Sequence, residues 1–399
     1  MNPQQSNDVP ASDSATLHGR VTPEQVVDEV RAWEGDFVKV AVTDADGILR
    51  GKYMAKDKFI SSTVGGFGMC NVVLGWDMAD ECYDDATYTG WHTGYPDAAV
   101  RVDLDTYRQI PWENGRPFFL GDFEQADGEP LSICPRQLLR RVIARATERE
   151  LEPVCGLEFE WFNFAESAQS ASEKGYKGLD PISPGMFGYS VIRHSQNAPF
   201  FEALMGQLRE YGIPLEGLHT ETGPGVLEAA ILHSDTLEAA DRAVLFKTAA
   251  KEIGARIGIL PTFMARIASD LPGCSGHHHQ SLLHTPSGKS AFHDDSDPAS
   301  MSPLFRSYVA GQLAYLGELL PMLAQIGLDM QFPGVSIRNA ADFRDWYDEV
   351  GQQFDEQEHI VESIAQLPDE NGLIVFVTVV WKARQKSDGA RIAMRANQT

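Results

Sequence analysis

The chain has 399 residues, 43% of them hydrophobic, and a formal net charge of -24 at pH 7. This length predicts two or three domains, and the negative charge argues against nucleic acid or an anionic membrane as a partner. The five cysteines are irregularly spaced and form no Cys-x-x-Cys pair, which supports neither a disulfide framework nor a zinc ribbon. Because no basic and apolar leader opens the chain and no membrane-length apolar run occurs, we expect a cytoplasmic protein.

Residues 21–124 are predicted to form a small mixed α/β domain. Residues 1–20, which are rich in Ser, Asn, Gln, Asp and Pro, are predicted to be disordered. Thr22 and Pro23 supply an N-cap and a proline at the first helical position, so we expect a helix to begin there. Two alternating strands around a turn then predict a β-hairpin. The strand, the turn and the returning strand are residues 37–42, 44–47 and 48–54.

Residues 125–325, in the middle of the chain, are predicted to form a second and larger domain that contains both helices and strands. Apolar periodicity predicts four helices and one buried strand. The helices are at residues 135–150, 200–211, 234–257 and 302–324, and the strand is at 259–265. The first helix carries arginines on its polar side, which indicates a solvated face. They are Arg136, Arg140, Arg141 and Arg145.

Residues 333–399, the last part of the chain, are predicted to form an appended α+β tail. A short helix is followed by three strand-like segments, and two hairpin turns containing Asn-Gly and Asp-Gly join the strands. The helix is at residues 341–354, the strands are at 359–367, 373–384 and 390–399, and the turns are at 369–372 and 387–389.

Four glutamates in the middle region occur at spacings that suit a metal site. Glu158 and Glu160 are two residues apart, so on a strand both carboxylates leave the same face. Between Glu221 and Glu228, the sequence Thr-Gly-Pro-Gly lets the backbone turn tightly. Each pair also has a plainer interpretation, a polar strand face or an acidic loop in water. Because neighbouring carboxylates repel unless a cation lies between them, the two pairs together indicate a divalent-cation site.

A run of three histidines adds imidazole ligands to this set. His277 and His279 share a strand face, with Ser281 behind them. Oxygen ligands with an imidazole suit Mg²⁺ or Mn²⁺, and a pair of such ions suits a nucleoside triphosphate. Zinc, as in a zinc hydrolase, is the rival interpretation. Cys274 precedes the histidines, but no cysteine stands at ligand spacing, and the available partners are carboxylates.

Taken in this order, two motifs resemble those of the glutamine synthetase family and its relatives that ligate glutamate to other amines. They are Gly-Leu-Glu-Phe-Glu-Trp-Phe and Pro-Gly-Cys-Ser-Gly-His-x-His-Gln-Ser-Leu, and the resemblance covers residues 21–322. It implies an α+β fold with a small β-grasp-like N-terminal domain and a catalytic domain built on a curved antiparallel sheet with helices. It also implies homo-oligomeric rings with sites between subunits.

The resemblance assigns metal ligands residue by residue. Glu158 and His277 match the ligands of the cation that grips the transferring phosphate. Glu160, Glu221 and Glu228 match the ligands of the other cation, near the glutamate substrate. The implied ions are Mg²⁺ or Mn²⁺ at two sites.

The resemblance also implies residues that contact substrates. Glu216, His279 and Ser281 match positions on the ATP side. Gly273 matches a loop glycine near bound glutamate, and Asp77 matches a catalytic aspartate that a neighbouring subunit supplies for ammonium. The implied activity is an ATP-dependent ligase in which glutamate is phosphorylated on its side-chain carboxylate, and ammonia or another amine displaces the phosphate from the acyl phosphate. No nucleic acid or membrane partner is implied.

After Met322 the family pattern is absent from the sequence. The family carries arginines for phosphate and glutamate there, together with one further metal glutamate. Arg338 and Arg344 superficially match two of these arginines, but the order is reversed and the context differs. A catalytically impaired relative that binds metal and nucleotide is therefore the alternative function.

The tail at 333–399 instead resembles a fragment of the cone-shaped fold of ketosteroid isomerases and nuclear transport factors. Phe343-x-x-Trp346-Tyr347 and the long strand that ends at Arg384 carry this resemblance. It makes a fused or truncated product with an assembly or binding role a second form of the alternative.

Overall fold

The computed structural model describes residues 22–83 and 86–315, together with the backbone of five strands in the tail. Those strands are Met330–Phe332, Val335–Ile337, Phe354–Asp369, Gly372–Gln385 and Arg391–Gln398. The segment predicted to be disordered at 1–20 lies outside the described residues. The helix predicted at 341–354 does so too, except that Phe354 begins a strand.

The N-terminal helix and hairpin form as predicted. Helix α1, Pro23–Ala32, begins at a capping box in which the Thr22 hydroxyl accepts from the amide of Gln25, and the Gln25 side chain accepts from the amide of Thr22. Strands β1, Phe37–Thr43, and β2, Leu49–Ala55, pair antiparallel around the turn. Local signals alone therefore predicted this part of the fold.

Three more strands complete a five-stranded sheet in the order β2-β1-β5-β4-β3. The added elements are helix α2 (Lys56–Gly65), β3 (Phe67–Cys70), β4 (Asp97–Ile110) and β5 (Arg116–Glu124). β1 lies parallel to β5, and the other neighbours in this sheet are antiparallel. The result is a mixed α+β layer.

A second, curled antiparallel sheet follows, in the order β10-β6-β8-β7, with the short β9 paired to β6. Its strands are β6 (Leu151–Phe164), β7 (Leu215–Thr220), β8 (Val226–Asp235), β9 (Leu260–Thr262) and β10 (Gly276–His284). The helices in this part of the chain are α3 (Pro135–Thr147), α4 (Ala168–Glu173), α5 (Val191–Gln196), α6 (Ala198–Glu210), α7 (Thr236–Arg256) and α8 (Pro303–Ala314).

The predicted helices of this region are confirmed as α3, α6, α7 and the described part of the fourth, α8. Residues 316–324 of the fourth prediction lie outside the described residues. Helix α6 ends at Glu210, and Gly212 follows its C-cap with a φ of 81°, a left-handed conformation that suits glycine. The strand predicted at 259–265 is only three residues long. It begins where Leu260 pairs with Phe164, the last residue of β6, and it stops at Thr262, beyond which the amide of Glu160 on β6 donates to Ser275 instead.

The aromatic face of β6 forms the core beneath α7. Trp161 is fully buried, and its ring lies edge-on to Phe246 at 5.4 Å and stacks on Phe263 at 5.7 Å. Ile110 and Phe118 of the first sheet belong to the same hydrophobic cluster. Packing this face fixes β6 and leaves its opposite face available for polar side chains.

The prediction of a solvated arginine face on α3 is wrong for Arg136. Its buried guanidinium donates to both carboxylate oxygens of Asp241, at 2.8 and 2.7 Å, and to Asp122 at 3.0 and 3.1 Å. Asp103 lies 2.8 Å from the same group, and Arg140 contacts Asp122 at 3.2 Å. Burial lowers the pKa of Arg136, but the hydrogen bonds and charges of these carboxylates raise it above its usual value.

The described chain divides into two compact units. One holds residues 22–263 with 274–280, and the other holds 264–273 with the described residues from 281 onward. The boundaries predicted from sequence, at 124 and 333, stay predictions. No helix among the described residues is long and apolar enough to cross a membrane.

The tail strands confirm the three strand-like segments. β11 (Met330–Phe332) and β12 (Val335–Ile337) form a small hairpin. β13 (Phe354–Asp369), β14 (Gly372–Gln385) and β15 (Arg391–Gln398) form an antiparallel sheet in that order. The resemblance to a cone-shaped fold stays a prediction.

Candidate metal centre

One row of side chains crosses the open face of the second sheet. Glu160 on β6 is directly opposite Glu228 on β8, and Glu228 is in turn opposite His219 on β7. Residues directly opposite on antiparallel strands share a face. Two carboxylates held opposite one another are destabilising unless a positive charge lies between them. The strand register itself therefore builds a site for a cation.

The first group of ligands consists of Glu158, Glu228 and His277. Each offers one ligand atom, and the three atoms lie within 4.8 Å of one another. His277 Nδ1 is 2.7 Å from a Glu158 oxygen and 3.5 Å from a Glu228 oxygen. His279 also contacts Glu158, at 3.4 Å, so the two histidines share a face as their spacing predicts.

The second group consists of His219, Glu221 and Glu228, again with ligand atoms within 4.8 Å of one another. His219 Nε2 is 3.4 Å from Glu228, and its Nδ1 is 3.9 Å from Glu221. The turn after Glu221 needs Gly225, whose φ is 71° and whose added Cβ would lie 2.4 Å from a backbone oxygen. Glu228 belongs to both groups, so it lies between the two candidate cations.

Glu160 lies on the same face but belongs to neither group of three among the described residues. Its carboxylate accepts hydrogen bonds from the amide of Ser275, at 2.9 Å, and from the Ser275 hydroxyl. These bonds hold the segment before β10 against β6. They leave Glu160 on the same sheet face, opposite Glu228.

The charges around the site favour a cation. Burial and the charges of Glu160 and Glu158 raise the pKa of Glu228, although His219 and His277 oppose the shift. Burial, together with Glu160 and Glu221, raises the pKa of Cys274 to about 12, so the thiol is protonated at neutral pH. Cys274 belongs to neither group of candidate ligands among the described residues.

The donor set fits Mg²⁺ or Mn²⁺. Each group offers two carboxylates and one imidazole, and oxygen-rich sets of this kind suit these ions. Zinc also accepts carboxylate and imidazole ligands, so it stays the rival ion. When bound, a divalent cation would neutralise the oxygens of a transferring phosphoryl group.

Four other residues predicted from the sequence belong to neither group of ligands among the described residues. Glu216 is exposed on β7. Asp77 closes a turn, where its carboxylate accepts from the amides of Ala79 and Glu81 at 2.8 and 3.0 Å. Gly273 and Ser281 belong to the second compact unit.

His219 is the site residue that the sequence analysis missed. The signal was present, because His219 and Glu221 are two residues apart, as are Glu158 and Glu160. The neighbouring Tyr189 ring stacks on the imidazole, with centroids 4.2 Å apart. Burial and the charges of Glu228 and Glu221 raise the pKa of this tyrosine.

Comparison with known proteins defines the class of protein. Residues 132–326 match the family model of the glutamine synthetase catalytic domain. A type-1 glutamine synthetase 2 of Dictyostelium discoideum is 52% identical over 299 residues, which is 75% of this chain and 57% of that protein. A glutamate–isopropylamine ligase of a Pseudomonas species is 33% identical, covering 71% of this chain and 62% of that protein.

A third relative extends the match. A gamma-glutamylethanolamide synthetase of Streptomyces coelicolor is 32% identical over 323 residues, covering 80% of this chain and 67% of that protein. The chain therefore belongs to the glutamine synthetase family. It spans 57% and 62% of the length of the first two relatives.

Solved structures show the same fold. A complex of GmaS with ADP matches with a TM-score of 0.65 and 20% identity, covering 78% of this chain and 68% of that chain. The glutamine synthetase of Plasmodium falciparum matches with a TM-score of 0.61 and 16% identity, covering 75% of this chain and 61% of that chain. The predicted α+β fold with a curled antiparallel sheet is confirmed.

Proposed function

We propose that this protein is an ATP-dependent ligase that joins ammonia or another amine to the side-chain carboxylate of glutamate. A glutamate oxygen attacks the terminal phosphorus of ATP, which gives an acyl phosphate and ADP. The amine nitrogen then attacks the acyl carbon, and phosphate and a proton leave. The observation that carries this proposal is the row of glutamates and histidines on one sheet face in a chain of this family.

The proposed metal ligands follow the two groups in the sheet. Glu158, Glu228 and His277 hold the cation on the phosphate side. His219, Glu221 and Glu228 hold the cation on the glutamate side, and Glu160, which the resemblance also gives to this cation, lies on the same sheet face. Glu228, which the resemblance gave to one cation, is thus a ligand of both. The protein's own part is to fix the donor and acceptor in line by holding these cations and the substrates on a rigid strand row.

The remaining roles follow from the family alone. Glu216, His279 and Ser281 contact ATP, and Gly273 lies near glutamate. Asp77 reaches the amine of a neighbouring subunit in a ring-shaped homo-oligomer. We expect the protein to work in the cytoplasm.

A second candidate function is a relative that binds metal and nucleotide without turnover. The observation that favours it is the end of the family match at residue 326, although the chain continues to residue 399. Arg338 and Arg344 lie outside the described residues. In phosphoryl transfer, a missing charge-stabilising arginine costs roughly a thousandfold or more in rate.

Glutamate-dependent release of ADP separates the two candidates. The purified chain is incubated with ATP, Mg²⁺ or Mn²⁺ and glutamate, with ammonium and then with a panel of amines, and ADP is followed by a coupled assay. The ligase is expected to release ADP only when glutamate and an accepted amine are both present. Nucleotide binding with no ADP above background would reject the ligase in favour of the second candidate.

A further inference from the structure

A short apolar segment borders one side of the metal centre. Residues 186–192, which we call the apolar lip, read Met-Phe-Gly-Tyr-Ser-Val-Ile. Five of its side chains are large and at least half exposed: Met186 52%, Phe187 50%, Tyr189 70%, Val191 72% and Ile192 70%. Exposed apolar side chains that concentrate in one place mark a surface that contacts a ligand or another protein.

The apolar lip touches the ligands of the metal centre. Tyr189 stacks on His219, with ring centroids 4.2 Å apart and planes 20° apart. A Cβ added to Gly188 would lie 3.8 Å from both carboxylate oxygens of Glu221. The apolar surface is therefore continuous with the second group of ligands.

The apolar lip is held in place by a buried threonine at the end of β7. The Thr220 hydroxyl donates to the carbonyl of Phe187 at 2.9 Å and accepts from the amide of Ser190 at 3.0 Å. The amide of Tyr189 donates to the Thr220 carbonyl at 2.7 Å. Tyr189 has a φ of 53°, a left-handed conformation that non-glycine residues rarely adopt.

Phe187 is also fixed from both sides. Its ring covers Gly185, where an added Cβ would lie 2.8 Å from the ring, and the Arg193 guanidinium lies 4.6 Å from the ring centroid. A fixed aromatic side chain loses little conformational freedom when a ligand covers it. Phe187 is thus a preorganised apolar contact at the edge of the site.

The charges around the apolar lip select the kind of ligand. The lip contains no carboxylate, lysine, arginine or histidine, whereas Glu158, Glu160, Glu221 and Glu228 lie on the sheet face that it borders. A molecule that satisfies both surfaces carries a polar group at the end that faces the metal centre and an apolar group at the other end. A primary amine with a hydrocarbon substituent has this form.

We propose that the apolar lip binds the substituent of the amine, so that the acceptor is a primary amine with an apolar alkyl or aryl group rather than ammonia. This inference rests on the proposed ligase function and names the substrate class at that site. Met186, Phe187 and Tyr189 supply the apolar contact, and the amine nitrogen is directed toward the metal centre, where the acyl phosphate of the proposed reaction forms.

A series of alkylamines tests this inference. The full chain with Mg²⁺, in the absence of ATP and glutamate, is titrated with methylamine, ethylamine, propylamine and butylamine, and binding is followed by ligand-observed NMR. Each added methylene is expected to tighten binding about three- to fourfold, as burial of a CH₂ group does. In the double variant Met186→Ser/Phe187→Ser the affinity is expected to stay the same from methylamine to butylamine. Val64→Ser, which alters an 84% exposed apolar residue on α2, is the matched control and should keep the wild-type series.

Three kinds of result would overturn the inference. The first is an affinity that does not respond to the apolar lip: either it does not rise with alkyl length in the wild type, or it rises equally in the double variant. The second is tighter binding of 3-aminopropanoate than of propylamine, which would mean that Arg193 recognises an anion. The third is a change in sedimentation of the double variant, which would make the apolar lip an interface with a second copy of the chain.

The alkylamine titration and the ADP-release assay together distinguish failure of this inference from failure of the proposed function. A chain that binds alkylamines in the expected series but releases no ADP contradicts only the ligase reaction. A chain that releases ADP with glutamate and ammonium but shows a flat series contradicts only the substrate class.

Discussion

Replacing Glu228 with alanine is expected to abolish Mn²⁺ binding at both cation positions, whereas Glu158→Ala is expected to remove only one. Glu228 belongs to both groups of ligands, and Glu158 belongs to the first alone. Loss of a direct ligand should exceed the roughly 10- to 100-fold loss of affinity that follows removal of an outer-shell partner. Isothermal titration of Mn²⁺ into each variant measures the number of ions bound and their affinities.

The control for this prediction is Glu152→Ala, which removes an exposed carboxylate from the same strand and should leave both ions bound. Glu160→Ala and Glu221→Ala extend the series, and we expect weaker Mn²⁺ binding in each. Wild-type stoichiometry and affinity in Glu228→Ala would show that the shared carboxylate holds no cation. Stoichiometric zinc in the purified chain would instead favour the zinc interpretation.

Replacing Arg136 with methionine is expected to destabilise the chain by about 3–5 kcal/mol, the loss that follows removal of one partner from a buried ion pair. The side chain is 5% exposed, and its removal would leave Asp241, Asp122 and Asp103 without their shared guanidinium. Burial already raises the pKa of Asp241, which shows how costly its negative charge is there. Arg136 therefore holds α3 against β4, β5 and α7.

Urea unfolding of the Arg136→Met variant measures this effect. Arg145→Met is the matched control, because Arg145 is an exposed arginine on the same helix and its loss should change the free energy of unfolding by no more than about 0.5 kcal/mol. Equal unfolding midpoints for the two variants would mean that the buried network contributes nothing to stability.

The elements that the sequence predicted well have local causes. Thr22 caps α1 through a hydrogen bond three residues away, and the turn between β1 and β2 is closed by its own residues. The two-residue spacing of Glu158 and Glu160 places both carboxylates on one face of β6 whatever the neighbours are. Such features need no knowledge of the rest of the fold.

The features that the sequence did not predict depend on distant partners. Arg136 is buried because Asp122 and Asp241, which stand 14 and 105 residues away, meet it. The role of His219 depends on the register between β7 and β8, which places it opposite Glu228. Neither pairing can be read from a window around one residue, since strand register is set by contacts across the whole sheet.

Anomalous scattering from crystals grown with Mn²⁺ is the most direct test of the paired-cation centre. The account predicts two peaks, one in contact with Glu158, Glu228 and His277, and one in contact with His219, Glu221 and Glu228. Peaks at unrelated surface carboxylates, or none on this face of the sheet, would contradict it.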